Sequence, residues 1–435
     1  MRILHLSTHL GGGVGRFYKN ILRYDLENEH VFALIESPKD RQLLPEAHQW
    51  FLVDAHEHFH SEIEKADIVQ IEFWNHPKLY SFLVNMSAWP SCRLALYSHV
   101  SGIFPPAYLP PALAKSVDKL LLATFASKFS DAATELKDDL TVVPEFGGGD
   151  RTAHIKNKPH SDFVVLYIGS ADALKIHPEL ISWCVELCQI DNMIKFIFCT
   201  QDDSKALSRR VPKDHIENFT FYERLEDLTT VIEFSDIFGY ALHPRHFGTG
   251  EQALIEAMSA GLVPIVMDNP AERFIVSNGN TGILAKSDKE YKDAVLFLKR
   301  NPDVLNLFRQ RARQAAKSLM SAENTTEIFH AVYLHMAKMY NKNKHSFPLA
   351  DASPWQLFLM SQGDDAKVFE RATQNVDRVQ AKFTRWQLKY YDNHLSPKKG
   401  TLSQWYGIFP EDERLCLAMK TISEANMFEF NNELG

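Results

Sequence analysis

The residues best placed to do chemistry are gathered in His246-Phe-Gly-Thr-Gly-Glu-Gln-Ala-Leu-Ile-Glu-Ala-Met-Ser-Ala-Gly-Leu-Val-Pro-Ile-Val266. Gly248 and Gly250 loosen a loop, Thr249 or Gly250 offers a cap for the following helix, and Gly261 ends that helix before a buried strand over 262–267. The free N–H groups of a first helical turn, at the positive end of the dipole, favour an anion such as a phosphate. Glycine lets the main chain approach it closely. Glu256, one and a half turns into the helix, can accept hydrogen bonds from a diol. The same residues also fit a plain helix with a solvated glutamate, because glycine-bearing strand-loop-helix units are common in doubly wound folds.

A second glycine cluster, Leu10-Gly-Gly-Gly-Val-Gly15, follows an apolar strand over 2–7 and precedes a helix over 16–24. Gly11, Gly13 and Gly15 fall at spacing two and Arg16 stands where a last glycine would be, so this is not a GxGxxG dinucleotide fingerprint. Glu36, just after the next strand, is a weak ribose hook. A tight turn without a ligand remains the alternative. Lys175, just before a helix start, can reach a phosphate as a point charge or stand solvated in its loop. His9, Glu72, Asn75, His76 and His99 fall at strand ends, and three such histidines exceed what a core needs. His56-Glu-His-Phe-His60 finds nothing to complete a ligand set, so no metal is expected.

The elements that must position these residues alternate strand and helix. Strands at 2–7, 30–35, 67–71, 93–97 and 119–123 predict a parallel sheet covered on both faces, with ligands at the carboxyl ends of the strands. Pro144 and the glycines of 147–149 mark a hinge. A second series follows: strands at 163–168, 195–199, 219–222 and 236–242, with helices at 179–189 and 225–234. The expected fold is α/β, with two Rossmann-like domains at 1–150 and 151–322, a helix over 323–342, and a helical extension over 343–435.

With 435 residues, 45% hydrophobic and 23% charged, the chain has the composition of a soluble globular protein of two or three domains. A formal net charge of −8 argues against a nucleic-acid partner. The five cysteines lie mostly in apolar runs without metal or disulfide spacing, and a strand begins at the N-terminus. A cytoplasmic protein is expected, compatible with peripheral contact at the inner face of a membrane.

In order along the chain, Met1-Arg-Ile-Leu-His-Leu with Leu10-Gly-Gly-Gly, His99, Pro144, Gly169 with Lys175, Glu256-Ala-Met-Ser-Ala-Gly-Leu-Val-Pro and Asn278-Gly-Asn-Thr-Gly-Ile-Leu284 resemble the family 4 glycosyltransferases. The resemblance spans roughly residues 1–300. It implies the GT-B fold, two Rossmann-like domains facing a central cleft, and transfer of a sugar from a nucleotide sugar to a glycan or lipid-linked acceptor with retention of configuration. It implies no metal or other cofactor. By the same resemblance Glu256 bonds the ribose, Lys175 the diphosphate and His99 the sugar, while Gly12 and Gly13 let the first-domain loop approach the donor.

Two departures stand out. The family has a glutamate where this chain has Gly248, and an arginine where it has Ser170. Glu251, His246 and Arg245 are substitutes by composition. Two other readings stay open: a GT-B nucleotide-sugar epimerase, or a degenerate sugar-nucleotide-binding or assembly subunit. In the extension, Phe369, Ala372, Val376, Val379, Phe383, Trp386 and Tyr390 form one apolar stripe on a helix over 364–391. That stripe can pack on the protein's own body or serve as a homodimer seam.

Overall fold

Stretches such as Val31 to Leu34 and Val263 to Met267 are apolar on both faces, so each must be covered on both sides, and a parallel sheet with helices on both faces does this. The computed structural model describes residues 1–38, 49–53, 56–86, 89–136, 140–145, 151–200, 204–223, 225, 227–248, 251–319, 321–374, 393–397 and 399–432. The chain divides into two units, Met1–Val143 with Ile328–Gly435, and Pro144–Glu327.

The first unit runs β1 (Arg2–Ser7), α1 (Gly12–Ile21), β2 (Glu29–Leu34), β3 (Gln49–Leu52), α2 (His56–Lys65), β4 (Ile68–Phe73), α3 (Pro77–Asn85), β5 (Leu94–Ser98), α4 (Pro111–Ala114), β6 (Lys119–Leu122), α5 (Asp131–Leu136) and β7 (Leu140–Val142). Its strands pair in the order β3-β2-β1-β4-β5-β6-β7, every pair parallel. The second unit runs β8 (Phe163–Gly169), α6 (Leu180–Ile190), β9 (Ile194–Thr200), α7 (Ser204–Ser208), β10 (Phe219–Glu223), α8 (Thr229–Glu233), β11 (Ile237–Tyr240), α9 (Gln252–Ser259), β12 (Val263–Met267), β13 (Ile283–Ala285), α10 (Asp288–Arg300) and α11 (Pro302–Leu319). Its parallel order is β10-β9-β8-β11-β12-β13. The order reverses between β1 and β4 in one sheet and between β8 and β11 in the other. These are the switch points at which such sheets hold ligands.

The structure departs from the sequence expectation in local ways. Helix α1 begins at Gly12 rather than near residue 16, so Gly12 and Gly13 lie in its first turn. Helix α8 is one turn long, not the ten residues expected over 225–234. The short strands β3, β7 and β13 are only three or four residues long, too short to show a period, and contact with a neighbouring strand decides them.

Helix α12 (Ala322–Met339) continues the chain, and the division between units falls within it. Its last carbonyls are met by a cation: Arg93 Nε donates to the Tyr340 carbonyl at 2.7 Å and Nη2 to that of Ala337 at 3.3 Å. Beyond it come α13 (Pro354–Ser361), α14 (Ala366–Gln374), α15 (Leu402–Ile408) and α16 (Glu413–Asn432), with α13 and α15 packed on α3. Phe369, the first member of the apolar stripe, is fully buried against Phe358 and His394 of its own unit. Residues 375–392, where most of the proposed seam falls, lie outside the described residues. Among the described residues no helix is long and apolar enough to cross a membrane.

His345 pins the segment after α12 to the first sheet. Its Nδ1 lies 3.1 Å from the Ser116 carbonyl and its Nε2 3.1 Å from that of Cys92 and 3.3 Å from Asp118 Oδ2. Both ring nitrogens face acceptors, so the ring carries two hydrogens. Burial opposes the charge, but Asp118 and the Cys92 carbonyl outweigh it and push the His345 pKa up to about 10. A raised histidine contributes stability below its unfolded pKa of about 6.5 and loses that contribution as pH rises through the folded value. His345→Gln is therefore expected to lower the unfolding midpoint markedly at pH 6 and much less at pH 10.5. Equal losses in thermal unfolding at the two pH values would refute the charge.

Candidate functional site

The two strands that flank the second switch point, β8 and β11, build one cluster at their carboxyl ends. After β8 the chain turns on Asp172, whose carbonyl accepts the Lys175 and Ile176 N–H groups, and His243 N then donates to the Lys175 carbonyl at 2.8 Å. This stitches the Lys175 loop to the exit of β11. Lys175 Nζ donates to Glu251 Oε2 at 2.7 Å, and the hydroxyl of Tyr240, the last residue of β11, donates to the same oxygen at 2.6 Å. The ammonium also lies 5.3 Å from the Phe247 ring centroid and 5.7 Å from that of Tyr240, within cation–π reach of both.

Glu251 replaces the cap expected at Thr249 or Gly250, two residues that lie outside the described residues. It is the N-cap of α9, at φ 38° and ψ 53°, and makes no side-chain cap bond. A left-handed conformation is costly for a non-glycine residue. Here it turns the side chain away from the helix start and into the cluster. Gly248 makes the room: a Cβ built there would stand 1.6 Å from Glu251 Oε1, 2.8 Å from its Cδ and 3.0 Å from His246 Nδ1. The Glu251 carboxylate thus fills the space that a side chain at 248 would start from. Burial would raise its pKa, but the Lys175 ammonium and the Tyr240 hydroxyl hold it below the ordinary carboxylate value.

His246 is fixed by its neighbours. Its Nδ1 accepts the Gly248 N–H at 3.0 Å, so its Nε2 carries the hydrogen and donates to Glu272 Oε2 at 3.1 Å. Arg245 N donates to His243 Nδ1 at 3.0 Å, and burial pushes His243 down to about 4. Glu256 does not join the cluster. Its Oε1 faces Arg151 Nη1 at 3.4 Å, and its carbonyl accepts from the Thr152 hydroxyl at 2.6 Å.

In the first unit the switch point lies between β1 and β4. Gly12 takes φ +57°, and a Cβ on Gly12 or Gly13 would meet nothing within 4 Å among the described residues, so the first turn of α1 is open. His9, Trp74 and His76 form an aromatic group beside it, with centroids 5.1 Å (His9–Trp74) and 4.9 Å (Trp74–His76) apart. Glu36 is committed to Lys78 at 2.8 Å. His99, just past β5, has its Nε2 2.7 Å from Glu72 Oε2. Burial works to raise the Glu72 carboxyl, but hydrogen bonds with His5 and His99 hold it at about 2.

Of the residues singled out from sequence, the fold brings Lys175, His246, Gly248 and Glu251 together, while Glu256 pairs with Arg151. Tyr240, Glu272 and Arg151 were not anticipated. Tyr240 ends an apolar strand and reads as core, and Glu272 sits in a short turn with no periodicity to mark it. The available signal was weak: a glutamate such as Glu272, close after a buried strand, has to find a partner.

Residues 150–318 match the family model described as glycosyl transferases group 1. No curated protein sequence matches the chain. Among solved structures, a glycosyltransferase from Rickettsia africae ESF-5 is similar at 14% identity and a TM-score of 0.63, over 78% of this chain and 99% of that one. HepE of Anabaena, solved in complex with UDP, is similar at 14% identity and a TM-score of 0.61, over 77% and 100%. Sucrose-phosphate synthase from Thermosynechococcus elongatus is similar at 12% identity and a TM-score of 0.58, over 77% and 99%. The chain therefore has the GT-B fold, and its residues 150–318 match the group 1 glycosyl transferases.

Proposed function

We propose that the protein is a retaining glycosyltransferase that moves a sugar from a nucleotide sugar to a glycan or glycolipid acceptor. The observation that carries this reading is the Lys175–Glu251–Tyr240 cluster at the β8/β11 switch point, inside the stretch that matches the group 1 glycosyl transferases. An ammonium has three donors. Glu251 Oε2 takes one, which leaves capacity for a diphosphate. Glu256 is assigned to the ribose diol, with Arg151 as its present partner, and His99 to the sugar, with Gly12 and Gly13 admitting the donor. In the transfer the sugar's bond to phosphate breaks, the acceptor oxygen bonds on the same face, and the acceptor's proton leaves with the diphosphate. Cationic groups and helix N-termini stabilise the charge on that leaving group.

The base is unassigned. HepE was solved with UDP and with UDP-glucose, so uridine donors are the first to test. A thermal-shift screen with UDP, GDP, ADP and their sugars should show one nucleotide raising the unfolding midpoint, since a ligand bound only by the folded state stabilises it by mass action. Glu256→Ala is expected to abolish that shift. A shift of undiminished size would remove the ribose assignment.

Slow hydrolysis of the donor without acceptor separates a transferase from an inactive binder. Interconversion of free nucleotide sugars would favour an epimerase instead. The placement of Glu251 favours an active enzyme over a degenerate binder, because its carboxylate lies against Gly248, a residue that has none.

A further inference from the structure

The first unit buries more ionisable groups than the proposed reaction uses. His5 on β1, His30 on β2 and Gln70 and Glu72 on β4 are polar residues in apolar strands, and all are buried. They join one line of hydrogen bonds. His99 Nε2 lies 2.7 Å from Glu72 Oε2, and His5 Nδ1 lies 2.6 Å from Glu72 Oε1. His5 Nε2 lies 2.8 Å from His30 Nδ1, and His30 Nε2 lies 2.9 Å from Asp25 Oδ2. His330 Nε2, on α12, closes the line 2.7 Å from Asp25 Oδ1.

The groups packed around the line are also defined. The Tyr18 hydroxyl on α1 and the Gln70 amide donate to Glu72 Oε1 at 2.7 and 2.9 Å, and the Tyr333 hydroxyl on α12 donates to Gln70 Oε1 at 3.0 Å. Asn28 donates to both Asp25 oxygens, and Glu27 lies 3.9 Å from His330 at the outer end.

Counting hydrogens settles the charge of this line. Two imidazoles stand between two carboxylates, joined by three hydrogen bonds, and an ionised carboxylate only accepts. Both ends are ionised. Glu72 is held at about 2, and Asp25 lies well below the carboxylate range because donation from His30, His330 and Asn28 outweighs burial. Two neutral imidazoles supply two hydrogens, so the third bond requires one additional proton. That proton lies between His5 and His30, and burial of the His30 ring opposes a full charge there.

We propose that Glu72 is a positioning residue for His99, and that the buried line His330, Asp25, His30, His5 and Glu72 holds His99 in its Nε2–H form by keeping one extra proton between His5 and His30. An unpaired charge in the interior is strongly destabilising, and the stored proton balances Glu72. When that proton leaves at alkaline pH, the line loses a hydrogen bond and Glu72 keeps an uncompensated buried charge, which destabilises the arrangement in which His99 donates to it. The link to turnover rests on the reading of His99 as a contact to the donor sugar.

The test is long-range nitrogen–proton NMR of the full chain labelled with 15N-histidine, alongside the pH profile of donor turnover. At pH 7 the spectrum should show one of His5 and His30 doubly protonated and His99 protonated at Nε2. Two neutral rings at positions 5 and 30, or a His99 protonated at Nδ1, would overturn the proposal. Glu72→Gln should remove the extra proton at pH 7 and move the alkaline limb of kcat down by at least about one pH unit. Asp25→Asn, at the far end of the line, should move it in the same direction and serves if Glu72→Gln does not fold. An unmoved limb in a folded variant counts against the relay. If the unaltered protein turns over no nucleotide sugar, the proposed function fails, and the nitrogen spectrum still decides the relay.

Discussion

Lys175→Met is expected to destabilise the second unit by about 3–5 kcal/mol, because it strands a buried carboxylate. The Glu251 side chain is fully buried and that of Lys175 is 12% exposed, so water screens the pair little. Removing the ammonium leaves Glu251 with the Tyr240 hydroxyl at 2.6 Å and the more distant His246. The double variant Lys175→Met/Glu251→Gln should recover most of the loss, since the amide oxygen keeps the Tyr240 bond and no charge remains. Hydrogen exchange of the β8, β11 and β12 peptides reads the effect within this unit.

The pH dependence has a definite sign. The Glu251 pKa is depressed, so its contribution is present above the unfolded carboxylate value of about 4.3 and is lost as pH falls through the folded value. The difference between Lys175→Met and the unaltered protein should therefore shrink in acid, where a protonated Glu251 needs no counter-ion. A difference that stays constant down to pH 3 would mean that the pair contributes packing alone.

Gly248→Ala is the second large effect. One methyl group would stand 1.6 Å from Glu251 Oε1, an overlap that no small adjustment relieves, so the carboxylate must leave and Lys175 loses its partner. The expected cost is again about 3 kcal/mol, whereas Gly→Ala at a compatible site stabilises by about 0.4–1 kcal/mol. The reciprocal exchange is more informative. Gly248→Glu alone crowds two carboxylates together, and Glu251→Gly alone leaves Lys175 unpaired. The double variant Gly248→Glu/Glu251→Gly has one carboxylate and gives the left-handed position at 251 to the residue that adopts it most readily. It should be more stable than either single variant, with a coupling energy above about 1 kcal/mol. Additive effects would show that the two positions do not share one space.

These expectations concern groups whose partners were only partly legible beforehand. Both sheets could be read from apolar runs alternating with helical stretches, and the glycine clusters and Lys175 fell at the strand ends where ligand sites form. Gly248 was visible as a missing carboxylate, and Glu251 as one nearby by composition. Nothing in spacing said that Glu251 would reach back three residues, because that requires an unusual backbone angle at 251 and an empty volume at 248. His5 and His30 are single histidines within the apolar strands β1 and β2. Their 25-residue separation gave no hint that β1 and β2 would set them 2.8 Å apart.

By itself the sequence determined most of the strands and helices, β3, β7 and β13 excepted, that the sheets are parallel, and where along the chain loops can meet an anion. Those properties follow from local periodicity and from the conformational range of glycine and proline. Only the tertiary structure decided the partners of the charged groups: Glu251 with Lys175, Glu256 with Arg151, and Glu72 with His5 and His99. The physical reason is desolvation. A buried charge must be matched by whatever the fold brings within about 3 Å, and in a doubly wound sheet those groups come from strands and loops far apart in the chain.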